Sequence, residues 1–352
     1  MNKAITKTTA DHADAPDKLD RPDCGSTEAF RGKRVLITGG LGFIGSSLAR
    51  RLVRLKACVC LVDSLIPEYG GNFANIQDLR DVVTVNISDV RDEFSLKYLV
   101  SESDYLFNLA GQTSHLDSMR EPMTDLEINC QAQLAILEAC RQNNPAVRVV
   151  FASTRQIYGK PLYLPVDEKH LLQPVDVNGI NKMAGEWYHT LYSNVYGIPC
   201  CSLRLTNTFG PGMRIRDARQ TFLGIWIKQV LTGLPIEVWG GDQLRDFTYV
   251  DDVVDAMLSA ATDPRAVGRV FNLGGNEIVS LKELAEKLIS VSGLGAYVTK
   301  EFPAERKKID IGDYYSDFTL IRDCLGWTPK TSLDEGLRFT VDYYRQHMKE
   351  YM

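Results

Sequence analysis

VLITGGLGFIGSSLARRLV, residues 35–53, is the stretch whose reading decides the fold. VLIT (35–38) is an apolar run of strand length, and the residues that follow, to about Leu55, carry apolar side chains at helical spacing. Between them lie Gly39, Gly42 and Gly45, spaced GxxGxxG. Glycine permits a tight turn there and lets backbone amides come close to a pyrophosphate, which the N-terminus of the next helix then faces. A glycine triplet alone also fits an ordinary turn. Here the preceding strand, the following helix and an acid at the end of the next strand, Asp63 in CLVDSL, are all present. A carboxylate at that point accepts hydrogen bonds from the adenosine ribose and repels a 2′-phosphate, so the stretch predicts NAD rather than NADP. A helix-capping role is the plainer alternative for Asp63. Asp89 and Val90 follow the third strand, where they are placed to meet the adenine; Asp89 also reads as a simple cap.

Working outward, CVCLV (58–62), VVTVN (82–86), YLFNLA (105–110), VRVVFAS (147–153) and IPCCSLRL (198–205) are further strand-like runs, separated by helical stretches such as Asp125 to Gln142. Strand and helix in alternation predict an α/β protein, a doubly wound parallel sheet of the Rossmann type. The pattern loosens after Leu205. NTFGPGMRIRDARQ (207–220) is loop-like, a helix runs from Thr221 to Leu231, VFNLGG (270–275) reads as a last strand returning to the sheet, and helices dominate from Ser280. The expected organisation is a disordered tail over 1–30, an NAD-binding domain over 31–207 and 244–275, and a smaller, discontinuous C-terminal substrate domain over 208–243 and 276–352. The cleft between them should lie beyond the carboxyl ends of the strands.

The 352 residues are 44% hydrophobic and 24% charged, with a net charge of -5, a globular balance that argues against nucleic acid or an anionic membrane as partner. It leaves a nucleotide open, because a local group of arginines can bind phosphate in an acidic protein. No apolar stretch is long enough to span a bilayer. The first 30 residues lack the apolar centre of a secretory signal and predict a tail on a cytoplasmic protein, an organelle-targeting role being the alternative that their aspartates oppose. The eight cysteines form no metal-spaced cluster and read as small, reduced apolar residues, Cys58 and Cys60 within a buried strand.

TGGLGFIGS (38–46), NLAGQ (108–112), EIN (127–129), FASTRQIYG (151–159), LRLTNTFGPG (203–212), RDFTYVDDVVDA (245–256) and LGWTPKTSLDEGL (325–337) together identify a family. From about Lys33 to about Tyr344 the chain resembles the extended short-chain dehydrogenase/reductases, the NAD-dependent nucleotide-sugar epimerases, dehydratases and decarboxylases, and within them the UDP-glucose 4-epimerase-like members. The resemblance implies a nucleotide-diphosphate sugar as substrate. It places Phe43, Ile44, Ser64, Leu109 and Ala110 with the glycines at the cofactor and Gln112 at the substrate. It also implies a homodimer through two helices that correspond to Asp125 to Gln142 and Asn181 to Tyr196, though their apolar outer faces would suit the core equally.

In the family a Ser or Thr binds the reacting sugar hydroxyl, and a Tyr four residues before a Lys exchanges its proton while NAD takes the hydride. Thr154 and Lys182 occupy the first and last of these positions, Lys182 also meeting the nicotinamide ribose; the Tyr position is Asn178. An amide has no pKa near neutrality and carries no proton for exchange. Either the chain has lost redox chemistry and only binds, as a sensor or partner subunit, or another group is the base: Tyr158, His115, Lys182 itself, or water held by Asn178. His115 also reads as a neutral, hydrogen-bonded histidine. Arg155 and Gln156 stand where the dehydratases and decarboxylases place acids, so elimination favours an epimerase, with dehydration or oxidation by an unorthodox base as the alternative. Arg155 suits either a substrate carboxylate or a surface acid. Asn207 and Arg245 match residues that meet the diphosphate, and Arg306 one near the nucleoside ribose, with Asp310 the nearest acid after it. Asn129 matches a buried structural asparagine.

Overall fold

The computed structural model describes residues 27–303 and 307–352. Seven strands form one sheet: β1 (Arg34–Thr38), β2 (Cys58–Asp63), β3 (Thr84–Ile87), β4 (Tyr105–Asn108), β5 (Arg148–Thr154), β6 (Cys200–Leu205) and, after three strands of the smaller lobe, β10 (Val270–Asn272). Their order is β10-β6-β5-β4-β1-β2-β3, every pair parallel. The chain leaves β1 in one direction and returns at β4 to build the other, so the switch point lies between these two, and a crevice opens above their carboxyl ends.

Alternation along each strand sorts the core into two layers. Val35 and Ile37 of β1 pack with Leu48, Leu52, Val253 and Met257 from the helices Phe43–Arg54 and Val250–Thr262. Leu36 faces the other way, with Leu96, Val100, Ile136, Leu137 and Tyr192. All four residues of β4 are buried, as a central parallel strand requires. The long expected helix over Asp125 to Gln142 is interrupted: Pro122–Leu126 and Ala132–Asn143 are joined by a π-type turn, Glu127–Gln131, which holds Asn129.

The smaller lobe holds β7 (Asn207–Phe209), β8 (Ile236–Trp239), β9 (Leu244–Tyr249), β11 (Ile278–Ser280) and β12 (Tyr297–Lys300). Residues 244–275 are expected in the NAD-binding domain, but β9 pairs with β7 and β11, because Phe247 and Tyr249 pack on Phe209 in a separate apolar core. Two other expectations are corrected. Phe30, placed in the tail, is fully buried against Tyr105 at 4.8 Å. Cys58, placed in a buried strand, is exposed at its start, while Cys140, Cys200 and Cys201 are buried. The rest of the tail, 1–26, and Arg306 lie outside the described residues. Among the described residues no helix is long and apolar enough to cross a membrane.

Candidate active site

The glycine turn is a cradle that a side chain would fill. Gly39 has φ +69°, and a Cβ there would stand 3.1 Å from the Ala110 backbone. At Gly45 a Cβ would fall 2.3 Å from the Gly39 carbonyl oxygen. The amides of Gly39 and Gly40 hold the turn to the Val62 carbonyl at 2.8 and 3.1 Å. Gly42 is the N-cap of the helix Phe43–Arg54 and brings no side chain to its amides, which remain available to an anion. Asp63 ends β2. Its Oδ2 accepts the Leu41 amide and its Oδ1 the Leu65 amide, both at 3.0 Å, and burial raises its pKa. The carboxylate is thereby fixed at the mouth of the turn.

Gly39, Gly42, Phe43, Ile44, Gly45, Asp63, Ser64, Asp89, Val90, Leu109 and Ala110, all expected at the cofactor, line one continuous cleft. Asp89 faces the cleft and accepts the Arg91 amide at 2.9 Å, and the bonded Arg91 guanidinium holds its pKa down; the cap of the following helix is Asp92 instead. The uncapped amides, the glycines at close approaches of the turn and the fixed acid fit a dinucleotide.

The cleft continues past Gln112, His115, Thr154, Asn178, Lys182 and Asn207. Thr154 ends β5, and its hydroxyl accepts the Gln156 amide at 3.2 Å, which fixes the rotamer at the strand's carboxyl end. Lys182 rises from the helix Val177–Tyr196. Its Nζ donates to the Ala152 carbonyl at 3.1 Å and sits 5.0 Å over the Phe151 ring. Burial lowers its pKa to about 8, against a smaller upward pull from Asp125.

Asn178 is held by what lies behind it. Its Nδ2 donates to the Gln112 carbonyl at 2.8 Å and to Asp125 Oδ2 at 3.0 Å. Asn129 Nδ2 donates to the same two atoms, at 2.9 and 3.0 Å, and Asn181 Nδ2 to Asp125 Oδ1 at 2.8 Å. One fully buried carboxylate thus gathers three amides from two helical segments. With its nitrogen engaged inward, Asn178 has Oδ1 left for the cleft, an acceptor with no proton of its own. Sequence reasoning missed Asp125. Its signal was the series Asp125, Asn129 and Gln133, polar residues four apart among apolar neighbours.

His115 Nδ1 lies 2.9 Å from Asp176 Oδ2 without the direction of a hydrogen bond. Asp176 caps the Lys182 helix through the Gly179 amide at 2.7 Å. Burial works to raise its pKa, but His115, the Gly179 amide and Gln156 together hold it below the ordinary value.

Two expected residues do not reach the cleft lining. Tyr158 is wholly buried, its hydroxyl donating to Asn272 Oδ1 at 2.7 Å and accepting from Arg204 at 2.5 Å; burial raises its pKa. That disposition withdraws it as the base. Arg245 is buried, its guanidinium donating to the carbonyls of Leu244 and Gly312 and pairing with Asp310 at 3.4 Å. Asn207 does line the cleft, anchored by its Nδ2 to the Asp246 carbonyl at 3.1 Å. Among the neighbouring arginines, Arg214 pairs with Asp217 at 2.5 Å and Arg219 with Asp117 at 3.3 Å.

Residues 35–274 match the NAD dependent epimerase/dehydratase family, and the chain belongs to it. It is 31% identical over 317 residues to a putative UDP-glucose 4-epimerase of Methanocaldococcus jannaschii, covering 89% of this chain and 99% of that protein. A crystal structure of UDP-glucose 4-epimerase with UDP-glucose from Thermotoga maritima superposes with a TM-score of 0.82 at 30% identity, covering 90% and 99% of the two chains. UDP-glucuronic acid 4-epimerase from Bacillus cereus, in complex with UDP-glucuronic acid and NAD, superposes with 0.79 at 26% identity, covering 89% and 99%. The chain is an NAD-dependent enzyme of the nucleotide-sugar epimerase and dehydratase kind.

Proposed function

We propose that this protein is an NAD-dependent nucleotide-sugar 4-epimerase in which the amine of Lys182, rather than a phenol, exchanges the sugar proton. The observation that carries the reading is the burial of Lys182 in the cleft wall, which brings its pKa to about 8. A buried amine so poised is neutral often enough near pH 8 to take a proton and acidic enough to return it. When bound, NAD supplies reversible acceptance of a hydride from the sugar carbon. Thr154 Oγ1 orients the reacting hydroxyl, Asn178 Oδ1 accepts from a neighbouring sugar donor, and Lys182 Nζ holds the proton until the hydride returns to the other face. Neither Arg155 nor Gln156 can act as the acid that expels a C6 hydroxyl; Gln156 is turned to Asp176 at 3.0 Å. This favours epimerisation over dehydration.

The nucleotide-sugar half of the cleft is assigned to the smaller lobe. Pairing into a homodimer is assigned to the helix Val177–Tyr196, where Ile180, Trp187, Leu191 and Val195 are exposed at a spacing that puts them on one face.

The test is interconversion of C4-epimeric nucleotide sugars by the NAD-loaded protein across a pH series. Turnover should rise as pH climbs through about 8, since the neutral amine is the active form. A second reading makes His115 the proton carrier, on its proximity to Asp176. It would be favoured if His115→Gln, and not substitution of Lys182, removed the pH-dependent limb. No interconversion at any pH would sink both.

A further inference from the structure

Arg155 follows Thr154 directly, at the carboxyl end of β5, and lines the cleft. Its Nη1 donates to the neutral Asn207 Oδ1 at 3.2 Å, and its guanidinium lies 5.4 Å from the centre of the Tyr314 ring. Its Nε is buried with no partner, and among the described residues no carboxylate stands within 4.0 Å of it. Other little-exposed arginines of this chain are differently placed. Arg51 pairs with Asp255 at 2.8 Å, Arg204 with Glu186 at 2.6 Å and Arg245 with Asp310 at 3.4 Å.

Asp246, the acid whose charge acts most strongly on Arg155, does not close the gap. Its Oδ2 is taken by the amides of Gly275 and Ser316, at 3.3 and 3.2 Å, and its Oδ1 is buried and unpartnered. Burial raises its pKa to about 6. Arg245 adds a like charge nearby, its own pKa lowered to about 10 by burial first and by Arg155 second. A guanidinium desolvated beside a second one, with only a neutral hydrogen-bond acceptor, costs free energy that an anionic ligand would recover.

We propose that Arg155 selects a nucleotide sugar whose hexose carries a carboxylate at C6, a nucleotide-linked hexuronic acid. This rests on the reading of the cleft as a nucleotide-sugar 4-epimerase site. Consecutive Cα atoms are about 3.8 Å apart, so with Thr154 at the C4 hydroxyl the next side chain comes within reach of the substituent on C5. A guanidinium fork matches a carboxylate in shape as well as charge. A C6 hydroxymethyl group would leave the charge uncompensated.

The experiment measures binding of UDP-glucuronate and UDP-glucose to the NAD-loaded protein, apart from turnover. The acid should bind at least about tenfold more tightly, the size expected of one charge-assisted contact. Arg155→Gln should bring the two affinities together, with NAD affinity and the melting temperature reporting that the variant is folded. Equal affinities in the wild type, preference for glucose, or binding of neither overturns the proposal; if the variant does not fold, the wild-type pair alone decides. Clear preference for the acid without epimerisation would leave this inference standing and overturn the 4-epimerase reading instead.

Discussion

The two ends of the cleft are built in different ways. The end assigned to the dinucleotide is made of backbone: one contiguous turn, Gly39 to Gly45, with free amides and glycines that leave no room for a Cβ, and with Asp63 supplied by the adjacent strand. The end proposed to handle the proton is made of side chains from segments far apart in sequence: Gln112, Asp125, Asn129, Thr154, Asn178 and Lys182. The first tolerates little change at any one residue because atoms already touch. The second leaves room for one chemical group to be exchanged for another at a position such as 178, provided the hydrogen bonds behind it still close.

That contrast is open to test, beginning with the largest effect. Lys182→Met should lower turnover by about 10²–10⁴-fold while NAD still binds, measured by steady-state rates and cofactor titration. The same variant should melt at a higher temperature than wild type at pH 7. The folded pKa of Lys182, about 8, lies below its ordinary 10.5, so burying the charged form costs stability in full below pH 8. The unfolded chain binds the extra proton between those values, so this cost is relieved as pH rises from 8 to 10.5, and the gap between the two proteins should close there. A gap that widened instead would contradict the assignment of a depressed pKa.

At the other end, Gly45→Ala brings a methyl to 2.3 Å from a carbonyl oxygen with backbone all round. Overpacking of this kind costs about 1–3 kcal/mol, here felt at the turn, so NAD affinity should fall by about tenfold or more in a binding titration. Unchanged NAD affinity would remove the turn from the cofactor site.

Asp125→Ala should reduce stability by about 2–4 kcal/mol in denaturant unfolding, because three buried amides lose an acceptor together. A surface-like loss of a few tenths would show that the amide cluster is not what fixes Asn178. The smallest effect belongs to Tyr158→Phe. Its hydroxyl serves Arg204 and Asn272, so about 1 kcal/mol of stability should go and turnover should stay within a few-fold. A collapse in turnover would restore Tyr158 as a candidate base.

Most of the sheet was legible from the sequence. Parallel strands buried on both faces are written as apolar runs, and the strand of VFNLGG returns to the sheet as its pattern suggested. β9 was not legible: LRDFTY mixes charged and apolar residues although nearly all of it is buried, and only the aromatic contacts of Phe247 and Tyr249 with Phe209 decide which sheet it joins. At the site, the resemblance drew attention to Asn178, but the group standing behind it was not legible. Asp125 lies 53 residues earlier in the chain, and nothing local ties the two together.

The sequence alone determined the dinucleotide lobe, because its instructions are short-range: a strand, glycines at fixed intervals, a helix and an acid one strand later act through backbone geometry that neighbouring residues dictate. Only the tertiary structure decided the direction of Asn178, the withdrawal of Tyr158 into the core and the unpaired charge of Arg155. Each of these depends on which remote side chains share a desolvated space. That is settled by packing between elements, where an unmet hydrogen bond or charge carries its full cost.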